Sequence, residues 1–453
     1  MSVTRTAPAA PQPGPAPTPA PSTTAAPAPA RQISASGVAG RAVAVVRSWL
    51  SGTPGRMRLA LIASAAASVL FGIAAAQGFA EAGGALSRAD ANTAQLVRLQ
   101  AIHTNLVRAD AVATNAFLVG GLEPADQRQE YENALSEASR LITDAARSQP
   151  ADNAALAELN TALVNYSGLV EQARANNRQG LPVGAQYLRD ASSGLRLTAL
   201  PLLENLVTAN ENRVTTEFDG IDRGYIWLSA SGLVALVVIG GSMLWLARRT
   251  HRYINVPLAI GGVGILLATI VGSAALSNVG VAVDDIREGP YASTLALAQA
   301  RISAYDAKSN ESLTLIARGS GAAFEKAWVA AAEQVDQRLD TAVALSDDAQ
   351  PSRDAWSGYT NVHQEIRRLD NGGDWNSAVT LAIGTGEGSS NSQFDAFDRA
   401  SSEVLDSSVQ QTRSKLADAG NTLPLWRWVC FAVGLLAALC AWWGVSQRLE
   451  EYR

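Results

Sequence analysis

Four uncharged apolar runs constrain this chain more than any other feature: Leu59–Ala80, Gly224–Ala247, Tyr253–Val283 with its apolar heart near Ile254–Leu276, and Trp428–Gln447. A bilayer core calls for about 20 consecutive apolar helical residues, and every run meets that length. Aromatic residues sit at run ends, Tyr225, Trp227 and Trp245 on the second and Trp428, Trp442 and Trp443 on the fourth. Such a belt marks the lipid–water interface. The runs predict spans at 58–80, 224–247, 254–278 and 425–447. No Asp, Glu, Lys, Arg or His lies inside the four uncharged runs themselves, which argues against a pump or ion-coupled transporter. Gly240, Gly241, Gly261, Gly262 and Gly264 allow close helix approach, and glycine is also simply tolerated in membrane helices.

Charge orients the spans. Arg5, Arg31, Arg41, Arg47, Arg56 and Arg58 precede the first span with no acid among them. Arg248, Arg249 and Arg252 fill the link at 248–253, and Arg448 and Arg453 follow the last span at 448–453. Of the 41 Asp and Glu, all but Glu450 and Glu451 lie in the two long connections, 81–223 and 279–424. The positive-inside rule therefore puts both termini and the short link in the cytosol and both long connections outside. The expected location is the plasma membrane, with lipid as a partner.

Residues 1–57 are rich in Pro, Ala, Ser and Thr and carry few large apolar side chains. Such a segment buries too little surface to offset chain entropy, so a disordered cytosolic tail is expected, either a plain flexible one or one that docks a partner. It has no signal-peptide pattern, since its first apolar run begins far from Met1. The two cysteines, Cys430 and Cys440, both fall in the last apolar run, which leaves none for a disulfide in the polar connections.

Both long connections read as helices. Leu99, Ile102, Leu106, Ala109, Ala113 and Ala116 alternate spacings of three and four. Tyr131, Leu135, Ala138, Ile142 and Ala145 do so too, as do Leu156, Leu159, Leu163, Tyr166 and Val170. This is the narrow seam of helices packed at shallow angles. Breaks fall at Gly120-Gly121 before Pro124, at Pro150 before a new start at Asp152, and at Gly180-Leu181-Pro182. The fourth helix runs into the second span, and Pro201 is placed to kink it. In the second connection Leu295, Ala298, Ile302 and Tyr305 form a seam. Its breaks fall at Gly319–Gly321, Gln350-Pro351, Asn371-Gly372-Gly373 and Gly384–Asn391.

The halves also look like copies. Asp110-Ala111 pairs with Asp306-Ala307, Tyr166 and Gly180 with Tyr359 and Gly373, and Arg213 and Gly220 with Arg413 and Gly420, in order and at nearly constant offset. The expected fold is all-α: four transmembrane helices carrying two tandem extracytoplasmic four-helix bundles, an internal duplication. Both copies keep one orientation, unlike an inverted transporter repeat.

Catalytic landmarks are missing from the sequence. His103, His251 and His363 form no ligand pair, and no P-loop, dinucleotide fingerprint, kinase motif or serine-nucleophile motif occurs. The cytosolic pieces are too short for a catalytic domain. A non-enzymatic chain with no cofactor, no metal and no nucleic-acid partner is expected, and a homodimer is compatible with the plan. The stretch Arg108–Gly121 stands out, because Arg108, Asp110, Thr114 and Asn115 flank its regular seam. Three readings stay open: a polar flank with intrahelical pairs, a contact for an amino acid or protein partner in which Arg and Asp hold a carboxylate and an amine, or a buried register device. Asp306 joins these candidates as the counterpart of Asp110.

The plan resembles chemoreceptor-type four-helix sensor domains used twice. More narrowly, the chain resembles GlnX-like actinobacterial four-span membrane transducers. The resemblance is carried by Arg108-Ala-Asp110-Ala, by Thr114-Asn-Ala-Phe-Leu-Val-Gly-Gly121 with Leu122-Glu123-Pro124, by Tyr166 through Gly180, and by Pro182-Val-Gly-Ala-Gln-Tyr-Leu188. It spans both halves and is strongest in the first long connection. The resemblance implies that a solute-binding lipoprotein takes up glutamine, glutamate or aspartate outside the cell. The four-span protein senses that complex and signals to a cytosolic Ser/Thr kinase resembling protein kinase G, which adjusts 2-oxoglutarate metabolism. The alternatives are a receptor that binds a small ligand directly and a membrane scaffold or transporter accessory subunit.

Overall fold

Helical periodicity runs without a break from each apolar run into the neighbouring polar segment, and the helices do the same. The computed structural model describes residues 52–250 and 255–450, so almost all of the expected tail and part of the 248–253 link lie outside the described residues. Regular structure among the described residues is entirely helical. Helix α1 is Gly52–Val119, α2 is Ala125–Ser148 and α3 is Asn153–Arg178. Helices α4 (Val183–Gly194) and α5 (Leu200–Thr250) are joined by a π-helical turn, Leu195–Ala199. A second π-helical turn, Arg287–Tyr291, joins α6 (Val256–Ile286) to α7 (Ala292–Ile316). Then come α8 (Ala322–Leu345), α9 (Gln350–Asn371), α10 (Trp375–Ile383), α11 (Ser390–Gly420) and α12 (Leu423–Glu450).

These elements make four rods, Gly55–Val119, Val183–Arg248, Val256–Ile316 and Ser390–Gln447, each long and apolar enough to cross a membrane. The first has 65 residues, about 100 Å at 1.5 Å per residue. Proline explains both wide turns. Pro201 has no N–H and its ring crowds the carbonyl one turn earlier, so the strain expected as a kink is taken up in Leu195–Ala199. Pro290 lies inside the other wide turn, beside the non-helical Gly289.

The apolar parts of the rods pack through small residues. A Cβ on Gly434 would meet the Gly72 Cα at 2.6 Å, and one on Gly78 would meet the Gly224 carbonyl oxygen at 2.7 Å. Gly232 lies against Thr269, and Gly261 against Ala437. Each apolar helix therefore touches two neighbours in the ring α1–α5–α6–α12, by the close approach that small residues permit. Asn255 closes one end, donating to the Gly444 carbonyl at 2.8 Å. Large apolar side chains such as Leu70, Val237, Ile270 and Leu439 face outward.

Between the apolar parts lie two inter-span regions. In the first, α1 packs with α2, α3 and the α4–α5 rod through Leu99, Ile102, Leu106, Tyr131, Leu159 and Leu203. In the second, α7, α8, α9 and α11 close over Leu297, Ala304, Trp328, Trp356, Tyr359 and Phe397. The expected plan gave four helices here; α10 is an additional one, capped by the Asp374 side chain and ended at Gly384. Most seam residues are buried, but in α7 the buried face is wider than the seam. Leu295 and Ile302 are only partly buried, while Leu297, Ala300, Ala304 and Ala307 are fully so. The reason is that the two regions pack on each other: Val107 and Ala111 of α1 share one core with Ala296, Ala300 and Ala307 of α7.

Candidate functional site

The seam between the two inter-span regions is polar at its centre. Asp110 on α1 is 1% exposed. A buried carboxylate is tolerated only when its lone pairs are satisfied, and here four groups do so. Its Oδ1 accepts from the Ser192 hydroxyl at 2.5 Å and from the Tyr166 hydroxyl at 3.4 Å. Its Oδ2 accepts from the Ser309 hydroxyl of α7 at 2.7 Å and lies 3.2 Å from Arg196 Nη1.

Arg196 sits in the π-helical turn, at the point where Pro201 forces the backbone to widen. Wide turns of this kind recur at functional positions because they re-aim side chains. From there the guanidinium spans two acids: Nη2 lies 2.8 Å from Asp306 Oδ1, and Nη2 also donates to Ser309 Oγ at 3.1 Å. Burial alone would lower the Arg196 pKa, but Asp110 and Asp306 outweigh it and raise it. Burial and the adjacent Asp110 push the Tyr166 hydroxyl well above its usual range, so it stays a donor. The chemistry is mechanical. One cation bridges two acids on different helices, and all three helices continue into apolar spans.

A second polar cluster lies inside the second region. Glu311 is 1% exposed. Its Oε1 takes Lys308 Nζ at 2.8 Å and the Ser390 hydroxyl at 2.6 Å, and its Oε2 pairs with His363 Nδ1 at 2.9 Å. His363 Nε2 reaches Glu325 at 3.4 Å, and Arg367 Nε lies 3.0 Å from the same carboxylate. Trp328 stacks on the imidazole with centroids 3.6 Å apart. Burial favours a neutral Glu311, yet Lys308 and His363 override it and hold the carboxyl down at about 2. Burial likewise opposes a charged His363, and its hydrogen bonds to Glu311 and Glu325 reverse that and raise its pKa. Among the described residues, no group of three or more His, Cys, Asp and Glu is placed to hold a metal ion.

The residues singled out in the sequence are distributed as follows. Asp110 and Asp306 are brought together by Arg196. Arg108 points elsewhere: it binds Glu130 Oε1 through Nε and Nη2 at 3.0 and 2.8 Å. Thr114 donates to the Asp110 carbonyl of its own helix at 2.8 Å. Asn115 Oδ1 accepts from Gln127 of α2 at 3.2 Å and from Asn391 of α11 at 3.1 Å, a second polar tie between the regions. Sequence reasoning missed Arg196, Ser192 and Ser309, and the whole Lys308–Glu311–His363 cluster. One signal for Arg196 was present, a lone base among Leu195, Leu197 and Ala199 just before a proline.

Residues 85–219 match the family model of an actinobacterial sensor domain. The match begins in α1 beyond its apolar part and ends in α5 before its apolar part. It therefore contains Asp110, Tyr166, Ser192 and Arg196, but neither Asp306 nor Ser309. No curated protein and no solved structure matches the chain.

Proposed function

We propose that the chain is a non-enzymatic transmembrane transducer that reports extracellular amino-acid availability to a cytosolic Ser/Thr protein kinase. On this reading a solute-binding lipoprotein, loaded with glutamine, glutamate or aspartate, docks on the extracytoplasmic regions. Those regions are tandem four-helix bundles descended from one duplicated unit, with both termini cytosolic. The lipoprotein's state shifts the rods between two packings. The supporting observation is the Asp110–Arg196–Asp306 bridge: three rods meet at one buried ionic contact, so a displacement of any one is felt by the others. The sensor-domain match over residues 85–219 supports the sensing part of this reading.

Titrating the full chain in lipid nanodiscs with the lipoprotein, empty and amino-acid-loaded, tests the reading. Binding that depends on loading, together with a kinase phosphorylation state that follows it in cells, supports the relay. Direct binding of free glutamine, glutamate or aspartate would redraw the protein as the receptor itself, and no load-dependent binding would end the proposal.

A further inference from the structure

The end of the first region where α1 stops, at Gly120, lies about 60 Å along the rod from the first apolar run at 1.5 Å per residue. A cavity of about 80 Å³ opens there, walled by the last turns of α1 and α3, by α2 and by the loop after α1. A water-sized particle takes up about 10–15 Å³ of such space, so the cavity holds roughly five to eight non-hydrogen atoms. Its wall is part apolar and part cationic. Ala113, Ala116, Phe117 and Leu122 supply the apolar part, and Leu122, at the mouth, is 83% exposed. Three lining residues are arginines, Arg128, Arg174 and Arg178, against one acid, Glu123. Two of the arginines are engaged. Arg128 lies 2.8 Å from Glu132 and 3.7 Å from Glu171, and Arg174 lies 2.8 Å from Glu123 and 2.7 Å from Glu171. Arg178, in the last turn of α3, is exposed and has no ion pair among the described residues. The walls are already held together: Asn177 of α3 donates to the Phe117 carbonyl of α1 at 3.1 Å, and the Arg174–Glu123 pair ties α3 to the loop. A wall fixed beforehand leaves little ordering cost for a ligand to meet.

We infer that this cavity binds a small monocarboxylate with a short apolar body, its carboxylate on Arg178 and its body against Phe117 and Leu122. A guanidinium holds a carboxylate through two parallel N–H donors, and Arg178 is the lining arginine with no acid already on it. A free amino acid fits less well. Its ammonium group would need a carboxylate of its own, and the acid of the lining, Glu123, is taken by Arg174. The site therefore takes a different ligand from the amino acids of the proposed relay, and it does not rest on that reading. Every lining residue lies within the sensor-domain match over residues 85–219. A bound acid would touch α1 about one turn from Asp110, through Ala113 and Phe117, while its charge engages the end of α3. It would thus add a tie between two helices that already meet at the Asp110–Tyr166 contact.

The test uses the full chain in phosphatidylcholine nanodiscs, read by saturation-transfer NMR of the probe, with protein-free nanodiscs in parallel. Three probes share one branched body: isovalerate carries the carboxylate, isovaleramide lacks the charge, and leucine adds an ammonium group. Saturable binding of isovalerate is expected, tighter than that of isovaleramide and of leucine. Arg178→Gln, at an exposed position, should weaken isovalerate by about tenfold or more, the share of one charge-assisted hydrogen bond, and leave isovaleramide unchanged. Arg178→Lys should keep part of the affinity, and Leu122→Ser should weaken acid and amide alike. Isovalerate uptake no greater than in protein-free nanodiscs, equal affinity for the acid and the amide, leucine bound as tightly as isovalerate, or an Arg178→Gln chain that binds isovalerate unchanged would each overturn the site.

Discussion

The two most deeply buried ionic clusters, one inside the second inter-span region and one at the seam of the first, are completed in different ways. The second encloses its charges: Lys308, Glu311, His363 and Ser390 satisfy one another behind Trp328 and Tyr359. The first has a mostly leucine and alanine interior and two buried acids: Asp152 is held within the region by Arg213 and Asn210, whereas the hydrogen-bonding set of Asp110, at the seam, is completed only by Ser309 of the other region. A self-contained network stabilises the region that holds it. A carboxylate completed across a seam makes two regions depend on each other. By this comparison the second region is the anchor, and the coupling resides at the seam.

Variants can break the comparison. Glu311→Gln should have the largest effect, because it leaves Lys308 and His363 buried without their acid. Breaking a buried pair from one side costs roughly 3–5 kcal/mol, which thermal unfolding of the full chain in detergent would register as a large drop in midpoint. Asp110→Ala should cost less, about 1–3 kcal/mol for the donors left unpaired, since Arg196 keeps Asp306. Its signature is a loss shared by both regions, while the Glu311→Gln loss begins in the second.

Proton concentration sharpens the contrast, because His363 and Glu311 of the second region's cluster shift in opposite directions. His363 has a raised pKa in the folded chain, so its contribution is complete below its ordinary value of 6.5 and declines as pH rises through the folded pKa. Glu311 is held at about 2 against an ordinary 4.5, so its contribution is complete above 4.5 and is lost as pH falls toward 2. The contribution of these two groups to the thermal midpoint should therefore be largest between about 4.5 and 6.5, with His103, lowered to about 4 by burial, working against it below 6.5. The decline above that range should vanish in His363→Gln. An unchanged alkaline slope in the variant would remove His363 from the account. Smallest of all should be Arg108→Ala. Its pair with Glu130 is partly solvated on both sides, and such pairs contribute about 0–1 kcal/mol.

Much of this fold was legible because its signals are local. The apolar runs became the span-forming parts of four rods, and the Gly120-Gly121, Gly180 and Gly319–Gly321 breaks ended helices where positive φ at Gly120, Gly180 and Gly319 requires glycine. What stayed hidden was non-local. Helix α7 is buried through Lys308, Ser309, Asn310, Glu311 and Ser312, a polar run that periodicity reads as a solvated face. Its burial comes from α1, the Leu195–Ala199 turn, α8, α9 and α11 closing around it, which no spacing within α7 encodes. Asp306 could be found because it echoes Asp110. Arg196 has no such echo, and its role depends on a wide turn whose geometry only the folded chain displays. The extra helix α10 escaped because nine residues between two glycine-rich breaks look like part of one loop.

Hydrogen–deuterium exchange on Arg196→Ala in the full nanodisc-embedded chain tests the central claim most directly. If Arg196 ties the regions together, amides of α1 around Asp110 and of α7 around Asp306 should lose protection in concert, while α9 around His363 keeps its own. Loss confined to the α4–α5 rod, with α7 unchanged, would contradict the account and leave the two regions as neighbours that merely touch.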